Sequence, residues 1–314
     1  MKIAIIGAGG VGGYFGARLA ASVEEVHFIA RGAHLDAIKQ DGLRVLSANG
    51  DVVVKPALAT KDPASVGPVD LVMIAVKLWS TEEAVRGAKP LIGPNTAVVS
   101  FQNGVMAADL IEKAYGKEHT LGGVANIAAL IEKPGVIRHN GTMALLTVGE
   151  LDGQRSARVE AFLHACEKAG IQARAAGSIV KVIWEKYVAL VALSAMTSLT
   201  RLSVGSVRED PDTRQLMSQI MNEVVAVGHA KGVQLDEDTV ERLVQHIDHL
   251  PRGMVASMLG DLERGNRLEL PWLSGGVVQM GQELGVSVPA NTFIFAALKP
   301  YMNGRPADAR TVQA

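Results

Sequence analysis

The stretch KIAIIGAGGVGGYFGARLAA, residues 2–21, decides the fold of the N-terminal half of the chain. It opens with a largely apolar run, KIAII, which predicts a short buried strand. A glycine-rich turn follows, and the segment from Tyr14 to Ala21 predicts a helix. Because the pattern G-x-G-x-x-G lies between a strand and a helix, it indicates a dinucleotide-binding turn more strongly than an ordinary tight turn.

Each glycine of this pattern has its own expected role. Gly7 permits the sharp turn from strand to helix, Gly9 lets the backbone approach a pyrophosphate, and Gly12 allows the helix to pack closely on the strand. The N-terminus of the helix then faces the anion with its unpaired N–H groups. The residues predicted to bind a cofactor in this segment are Gly7, Ala8, Gly9, Gly10, Val11 and Gly12.

The rest of the N-terminal half repeats the alternation of strands and helices. Apolar runs at 26–30, 71–76 and 96–100 predict three further strands, and runs near 136–139 and 145–148 predict later, antiparallel ones. Alternating strands and helices are typical of βαβ units. The predicted fold class is therefore α/β, with an N-terminal Rossmann-type doubly wound sheet.

From about residue 177 the pattern changes to helical periodicity, which predicts a C-terminal all-helical domain. The boundary is placed near 175–178, which gives a nucleotide-binding domain over 1–176 and a helical substrate and catalytic domain over 177–314. The tail after Pro300 is expected to fray. The predicted helices cover 179–201, 211–231, 236–249, 252–264 and 271–284.

Composition excludes several classes of partner. Lys and Arg (31) nearly balance Asp and Glu (32) among 314 residues, which gives no electrostatic case for nucleic acid or an anionic membrane. No apolar run approaches the ~20 residues that a membrane span needs, and no signal peptide is recognisable. The single cysteine, Cys166, cannot form an internal disulfide. We therefore expect a soluble cytoplasmic protein, with no metal site, His246 and His249 simply facing solvent.

The choice between NAD and NADP is predicted from the end of the second strand, in HFIARG. An NAD site usually places a carboxylate there for the ribose 2′-hydroxyl, but this chain has Arg31. A guanidinium binds a 2′-phosphate well, so NADP is the expected cofactor. Lys77, just after the third strand, is a second candidate cation. The alternative interpretation is that Arg31 and Lys77 are ordinary solvent-exposed surface residues.

A lysine at the entrance of an apolar helix is the main candidate for chemistry in the second half. Lys186 precedes ten uncharged residues, 187–196, and shares one helical strip with Leu190 and Ser194. An ammonium there can protonate a developing alkoxide, or it can simply extend to solvent at the helix end. From the residues alone both interpretations stay open.

Seven segments spread over nearly the full length of the chain carry a family resemblance. They are GAGGVGGYFG at the start, AR at 30–31, VK at 76–77, QNG at 102–104, WEK at 184–186, SML at 257–259 with Glu269 following, and ELGVSVPANT at 283–292. In these segments the chain resembles the ketopantoate reductases (2-dehydropantoate 2-reductases). This resemblance implies NADPH-dependent reduction of a 2-oxo acid to a 2-hydroxy acid, as in the conversion of ketopantoate to pantoate in pantothenate biosynthesis.

The resemblance also implies roles for individual residues. Lys186 is the expected general acid, and Asn103 is expected to contact both the nicotinamide and the substrate. Glu269 is expected to hydrogen-bond cofactor or substrate near the lysine, and Ser257 to bind the substrate. Burial lowers the proton affinity of a lysine while a nearby carboxylate raises it, and the sequence leaves open which effect is larger. From the residues alone, Asn103 also suits a turn, Ser257 a cap and Glu269 a solvated position.

The substrate half departs from the family pattern at three positions. Leu190 and Ser194 replace asparagines usually found four and eight residues after the lysine, and Met254 replaces another before Ser257. Losing one amide that contacts a substrate hydroxyl costs about 1–3 kcal/mol. The alternative to ketopantoate is therefore a different 2-oxo acid that is more apolar, either bulkier or less hydroxylated. The predicted substrate residues are Asn103, Lys186, Leu190, Ser194 and Ser257.

Other functions remain as alternatives. An opine-type or 3-hydroxy acid dehydrogenase has a similar architecture, but Lys186 with its downstream serine and glutamate argues against it. A non-catalytic NADP-binding sensor is a further alternative, and the joint presence of Lys186, Asn103 and Glu269 argues against that one. The apolar faces of the helical domain allow a homodimer, although nothing in the sequence requires it.

Overall fold

The computed structural model describes residues 1–22 and 24–307, so the end of the predicted second domain and part of the predicted frayed tail, 308–314, lie outside the described residues. The chain divides into two compact units, Met1–Ile183 and Trp184–Ala314. Residues 179–183, the first turn of a long helix, belong to the first unit. The side chain of Ile179 packs closely on Gly122 of that unit, since a Cβ added to Gly122 would lie 2.7 Å from it.

The described residues form ten strands and twelve α-helices, together with short 3-10 turns. The strands are β1 (Lys2–Ile6), β2 (Glu25–Ile29), β3 (Leu43–Leu46), β4 (Val52–Val54), β5 (Leu58–Thr60), β6 (Leu71–Ile74), β7 (Ala97–Ser100), β8 (Thr120–Lys133), β9 (Val136–Gly149) and β10 (Gln172–Ala175). The helices are α1 (Gly10–Ala21), α2 (Gly32–Asp41), α3 (Thr81–Gly87), α4 (Ala107–Tyr115), α5 (Ala157–Lys168), α6 (Ile179–Thr200), α7 (Val204–Glu209), α8 (Pro211–Ala230), α9 (Thr239–Asp248), α10 (Ser257–Glu263), α11 (Ser274–Leu284) and α12 (Pro289–Leu298).

The sheet of the first unit has the strand order β4-β3-β9-β8-β7-β6-β1-β2-β5, with β10 paired to β9. The pairs from β5 through β2, β1, β6 and β7 to β8 are all parallel. This is the order of the doubly wound dinucleotide-binding fold, in which strands are added to one side of β1 and then, from β6 onward, to its other side. The predicted fold class is confirmed, since the all-helical part begins at residue 179.

The central strands are buried on both faces, which explains their continuous apolar runs. On β1, Ile3 and Ile5 join one core with Phe28, whereas Ala4 and Ile6 join a second core on the opposite face. Cys166 on α5 is also fully buried in the first core, and burial raises the pKa of its thiol to about 12. The two cores fix β1, and therefore the position of the glycine turn that follows it.

The sequence prediction was wrong about the hairpin that closes the sheet. The two short strands expected near 136–139 and 145–148 are one strand, β9, and its partner β8 was not predicted. The polar, glycine-containing segment around Gly141 has the composition of a turn. In the structure it is an irregular part of β9, since the pairing between β8 and β9 shifts register from Ile127↔Ala144 to Ala129↔His139.

The second unit contains only helices among its described residues. Three of the predicted helices begin later than expected, α9 at Thr239, α10 at Ser257 and α11 at Ser274, while α7 and α12 were not predicted. Residues 251–256 and 271–273 form turns and irregular backbone instead. Within the described part of the chain, no helix combines the length and the apolar character that a membrane crossing requires.

Candidate active site

The glycine turn lies at the carboxyl end of β1, where the strand order reverses. Gly7 has a φ of 97°, a left-handed conformation that favours glycine, and its N–H donates to the carbonyl of Ile29 at 3.0 Å. Helix α1 starts at Gly10, earlier than predicted, with Gly9 as its N-cap. The N–H groups of its first turn therefore have no acceptor within the helix and are directed at the turn.

Space around these glycines differs sharply from one to the next. A Cβ at Gly9 would have no atom within 4 Å, whereas one at Gly12 would lie 2.2 Å from the Gly7 carbonyl oxygen. At Gly10 the added atom would lie 2.1 Å from the carbonyl oxygen of Ala129 on β8. Gly10 and Gly12 are thus required by packing, while Gly9 leaves an open cradle in front of the helix N-terminus that suits a pyrophosphate. Val11, in the same first turn, is partly buried.

His34 on α2, a residue not predicted from the sequence, holds the glycine turn in place. Its Nδ1 accepts from the N–H of Gly135 at 3.0 Å, so its Nε2 carries the proton and donates to the carbonyl of Ala8 at 2.8 Å. Gly135 belongs to the tip of the β8–β9 hairpin. One imidazole therefore ties the glycine turn to the hairpin that packs on Gly10, an arrangement that no local sequence pattern indicates.

The two candidate cations for the 2′-phosphate lie at the same edge of the sheet. Arg31 follows β2 and pairs with Glu83 on α3 at 2.7 Å, and both side chains are largely exposed. Glu83 hydrogen-bonds the guanidinium and raises the pKa of Arg31, while Arg31 lowers the pKa of Glu83. Lys77 is exposed just after β6, with its Nζ 5.7 Å from the ring centroid of Trp79.

Asn103 lies in the loop after β7, and its neighbour Gln102 holds that loop in place. The amide nitrogen of Gln102 donates to the carbonyl of Val76 at 2.8 Å and to the hydroxyl of Thr81 at 2.9 Å. Gly104 follows with a φ of 87°. The loop after β7 is thereby fastened to the loop after β6, so the QNG segment presents partly buried Asn103 at the same edge as the glycine turn.

In the second unit, Lys186 and Glu269 interact electrostatically. Burial lowers the pKa of Lys186 to about 8, and the Glu269 carboxylate opposes that shift by raising it. Glu269 itself is only 8% exposed, so it does not occupy a solvated position. Of the two opposing effects weighed from the sequence, burial is the larger. An amine with this pKa is a competent proton donor near neutral pH.

The residues around Lys186 each bind a different neighbour. Glu185 pairs with Arg242 of α9 at 2.8 Å. The hydroxyl of the fully buried Tyr187 donates within the 2.9–3.0 Å range to the backbone carbonyls of Trp272 and Leu273, just after Glu269. Tyr187 therefore anchors the segment that carries Glu269 against the helix that carries the lysine. Sequence reasoning missed this tyrosine, because its partners are about 85 residues away.

The predicted substrate residues of the second unit lie on α6 and α10. Ser194 is 1% exposed, and its hydroxyl has no hydrogen-bond partner among the described residues, although an orphaned buried hydroxyl costs about 1–3 kcal/mol. Leu190 is partly buried on the same helix. Ser257 is exposed at the first position of α10, and Met254 is 40% exposed just before it.

Among the residues that the structure describes, no group of three or more His, Cys, Asp or Glu side chains is arranged to hold a metal ion. His246 and His249 are both exposed at the end of α9. The candidate functional residues form two groups: a glycine turn with two cations and an amide in the first unit and, separately, a lysine–carboxylate pair in the second unit.

Comparison with known proteins shows which family the chain belongs to. The family model described as Ketopantoate reductase PanE/ApbA matches residues 3–153, and the model of its C-terminal part matches residues 178–302. A 2-dehydropantoate 2-reductase of Mesorhizobium japonicum is 32% identical over 95% of this chain and 97% of its own. The chain belongs to the ketopantoate reductase family. It is therefore an oxidoreductase, as the motif resemblance predicted.

Solved structures of family members and relatives agree with the fold. The PanE/ApbA family ketopantoate reductase of Ralstonia eutropha superposes with a TM-score of 0.87 at 31% identity, covering 96% of this chain and 98% of its own. A D-mandelate dehydrogenase solved with NADH and anilino(oxo)acetate also gives a TM-score of 0.87, at 24% identity and the same two coverages. At that identity the second likeness concerns the fold only.

Proposed function

We propose that this ketopantoate reductase family member is an NADPH-dependent reductase of 2-oxo acids. The observation that carries the proposal is Lys186, whose pKa burial lowers to about 8 while the Glu269 carboxylate beside it favours the protonated form. A surface lysine has no such environment. Proton donors in enzymes are typically tuned toward the working pH in this way.

The first unit supplies the groups that fit the cofactor. The open space at Gly9 and the N-terminus of α1 suit a pyrophosphate, and Gly7, Ala8, Gly10, Val11 and Gly12 shape that turn. Arg31 and Lys77 offer positive charge for a 2′-phosphate. When bound, the nicotinamide supplies the hydride that reduces the carbonyl carbon.

The protein's own groups handle the oxygen of the carbonyl. Lys186 hydrogen-bonds that oxygen as its electron density grows and transfers a proton to it, which yields the hydroxyl. Glu269 keeps the lysine charged between turnovers and also offers an acceptor to cofactor or substrate. Asn103, held by its QNG loop, orients the nicotinamide end and the substrate, and Ser257 and Ser194 offer hydroxyls to the substrate.

Ketopantoate is the first substrate to consider, because the relative from Mesorhizobium japonicum bears the name 2-dehydropantoate 2-reductase. The second candidate is a 2-oxo acid with an apolar side chain. It is favoured by Leu190 at the partly buried position on α6 and by the exposed Met254 and Val255. None of these side chains can hydrogen-bond the hydroxyl of ketopantoate, so the loss of an asparagine there favours apolar substrates.

The test is a substrate panel followed by NADPH oxidation at 340 nm. Ketopantoate, a branched 2-oxo acid such as 2-oxoisovalerate, and an aromatic one such as phenylglyoxylate are compared by kcat/KM, each with NADPH and NADH. We expect turnover with NADPH and a preference for one of the apolar acids. A clear preference for ketopantoate would remove the second candidate. Tight NADPH binding with no reduction of any acid would instead support a sensor.

A further inference from the structure

An ion pair at the proposed 2′-phosphate site joins two different βα connections. Arg31 comes directly after β2, and Glu83 lies in the first turn of α3, which follows β6. Strands β2 and β6 are the two neighbours of β1. The 2.7 Å contact between the Arg31 guanidinium and the Glu83 carboxylate therefore links both sides of the crevice beside the glycine turn.

This contact places a carboxylate where the cofactor's adenosine ribose is expected. A 2′-phosphate and Glu83 would share the same guanidinium, and their negative charges repel each other. Arg31 lowers the pKa of Glu83, so the carboxylate is ionised at neutral pH. In NADH the same ribose carries a 2′-hydroxyl, for which a carboxylate is the usual acceptor in dinucleotide-binding folds.

We propose that Glu83 is a specificity-determining residue that weakens NADPH binding and supports NADH binding by competing with the 2′-phosphate for Arg31. This inference rests on the proposed function, in which Arg31 is the 2′-phosphate residue. Glu83 lies on α3, whereas the acidic residue of NAD-binding chains usually lies at the end of β2. The chain thus combines the cation of an NADP site with the carboxylate of an NAD site, taken from separate segments.

Helix α3 also provides a matched control. Glu82, the residue before Glu83, forms its own pair with Arg86 at 3.8 Å, and its side chain is likewise exposed. Replacing either glutamate with glutamine removes one negative charge from the same helical turn. Only the replacement of Glu83 frees the guanidinium of Arg31, so the general charge of α3 and the specific contact can be separated.

The experiment measures dissociation constants of NADPH and NADH by cofactor fluorescence for the wild type, Glu83→Gln and Glu82→Gln. We expect Glu83→Gln to bind NADPH about two- to fivefold more tightly, the range of one exposed ion pair, and NADH more weakly by a similar factor. Glu82→Gln should match the wild type. In 1 M NaCl the effect of Glu83→Gln on the NADPH dissociation constant should shrink, because the Debye length is only about 3 Å at that ionic strength.

A third variant separates this inference from the function on which it rests. If Arg31→Ala leaves NADPH binding unchanged, the placement of the 2′-phosphate is wrong and the proposed cofactor site fails. If Arg31→Ala weakens NADPH binding while Glu83→Gln changes neither constant, the cofactor site stands and the role of Glu83 is refuted. Weaker NADPH binding in Glu83→Gln would also refute it, because the carboxylate would then be orienting the arginine.

Discussion

In the first unit the groups proposed to hold the cofactor are mainly backbone atoms of a glycine turn, whereas in the second unit the groups proposed to act on substrate are side chains, such as Lys186 on α6 and Glu269 between α10 and α11. A backbone site depends on the few positions where only glycine fits, such as Gly12. A side-chain site can lose an asparagine to Leu190 while α6, the helix that carries this position, persists. Cofactor chemistry is therefore easier to recognise in this chain than substrate choice.

The largest expected effect concerns the side-chain site. Replacement of Lys186 by alanine should lower kcat by about 10²–10⁴, since it removes the proposed general acid. NADPH binding to the first unit should stay near the wild-type level. Steady-state kinetics and a fluorescence titration measure the two quantities. Lys231→Ala, which changes an exposed lysine after α8, is the control. Full activity in the Lys186 variant would show that the proton comes from elsewhere.

The backbone site can be tested with two glycines of one turn. A Cβ at Gly9 meets nothing within 4 Å, so Gly9→Ala should unfold at nearly the wild-type temperature but lose about tenfold or more in NADPH affinity. Gly12→Ala places a Cβ 2.2 Å from the Gly7 carbonyl oxygen and should cost more than about 2 kcal/mol of unfolding free energy. Urea denaturation and cofactor titration distinguish them. Equal stability of the two variants would contradict the packing argument.

The pH dependence tests the pairing of lysine and carboxylate. Lys186 donates only when protonated, so kcat/KM should be level below a pH of about 8 and fall toward tenfold per pH unit above it. Because Glu269 raises the pKa of Lys186, Glu269→Gln should move the descending limb to lower pH. Glu263→Gln, an exposed glutamate at the end of α10, is the control. A shift of the descending limb to higher pH in Glu269→Gln would show that Glu269 does not raise the pKa of Lys186.

The smallest effect concerns substrate choice. Met254→Asn restores an amide at the position where the family usually has one, and it should shift the ratio of kcat/KM toward ketopantoate by about tenfold. The comparison is made against phenylglyoxylate in the same panel, with Met143→Asn, an exposed methionine of the first unit, as a control. An unchanged ratio would mean that this position does not contact the substrate.

How far the sequence predicts this molecule depends on the distance between interacting residues. The strand–turn–helix segment around Gly9 is readable because its periodicity and glycine spacing are local. Tyr187, His34 and Gln102 are not, since each acts through partners that only the fold brings close. The substrate positions were assigned by resemblance, and their roles stay predictions. The hairpin of β8 and β9 was missed because its polar irregularity has the composition of a turn.

The enclosed thiol of Cys166 gives the molecule a built-in reporter. It is the only cysteine of the chain, and burial with its raised pKa protects it from alkylating reagents while α5 stays packed. The rate at which such a reagent labels the native protein therefore measures how often that part of the first unit opens. A ligand that binds only the closed form should slow the labelling in proportion to its occupancy.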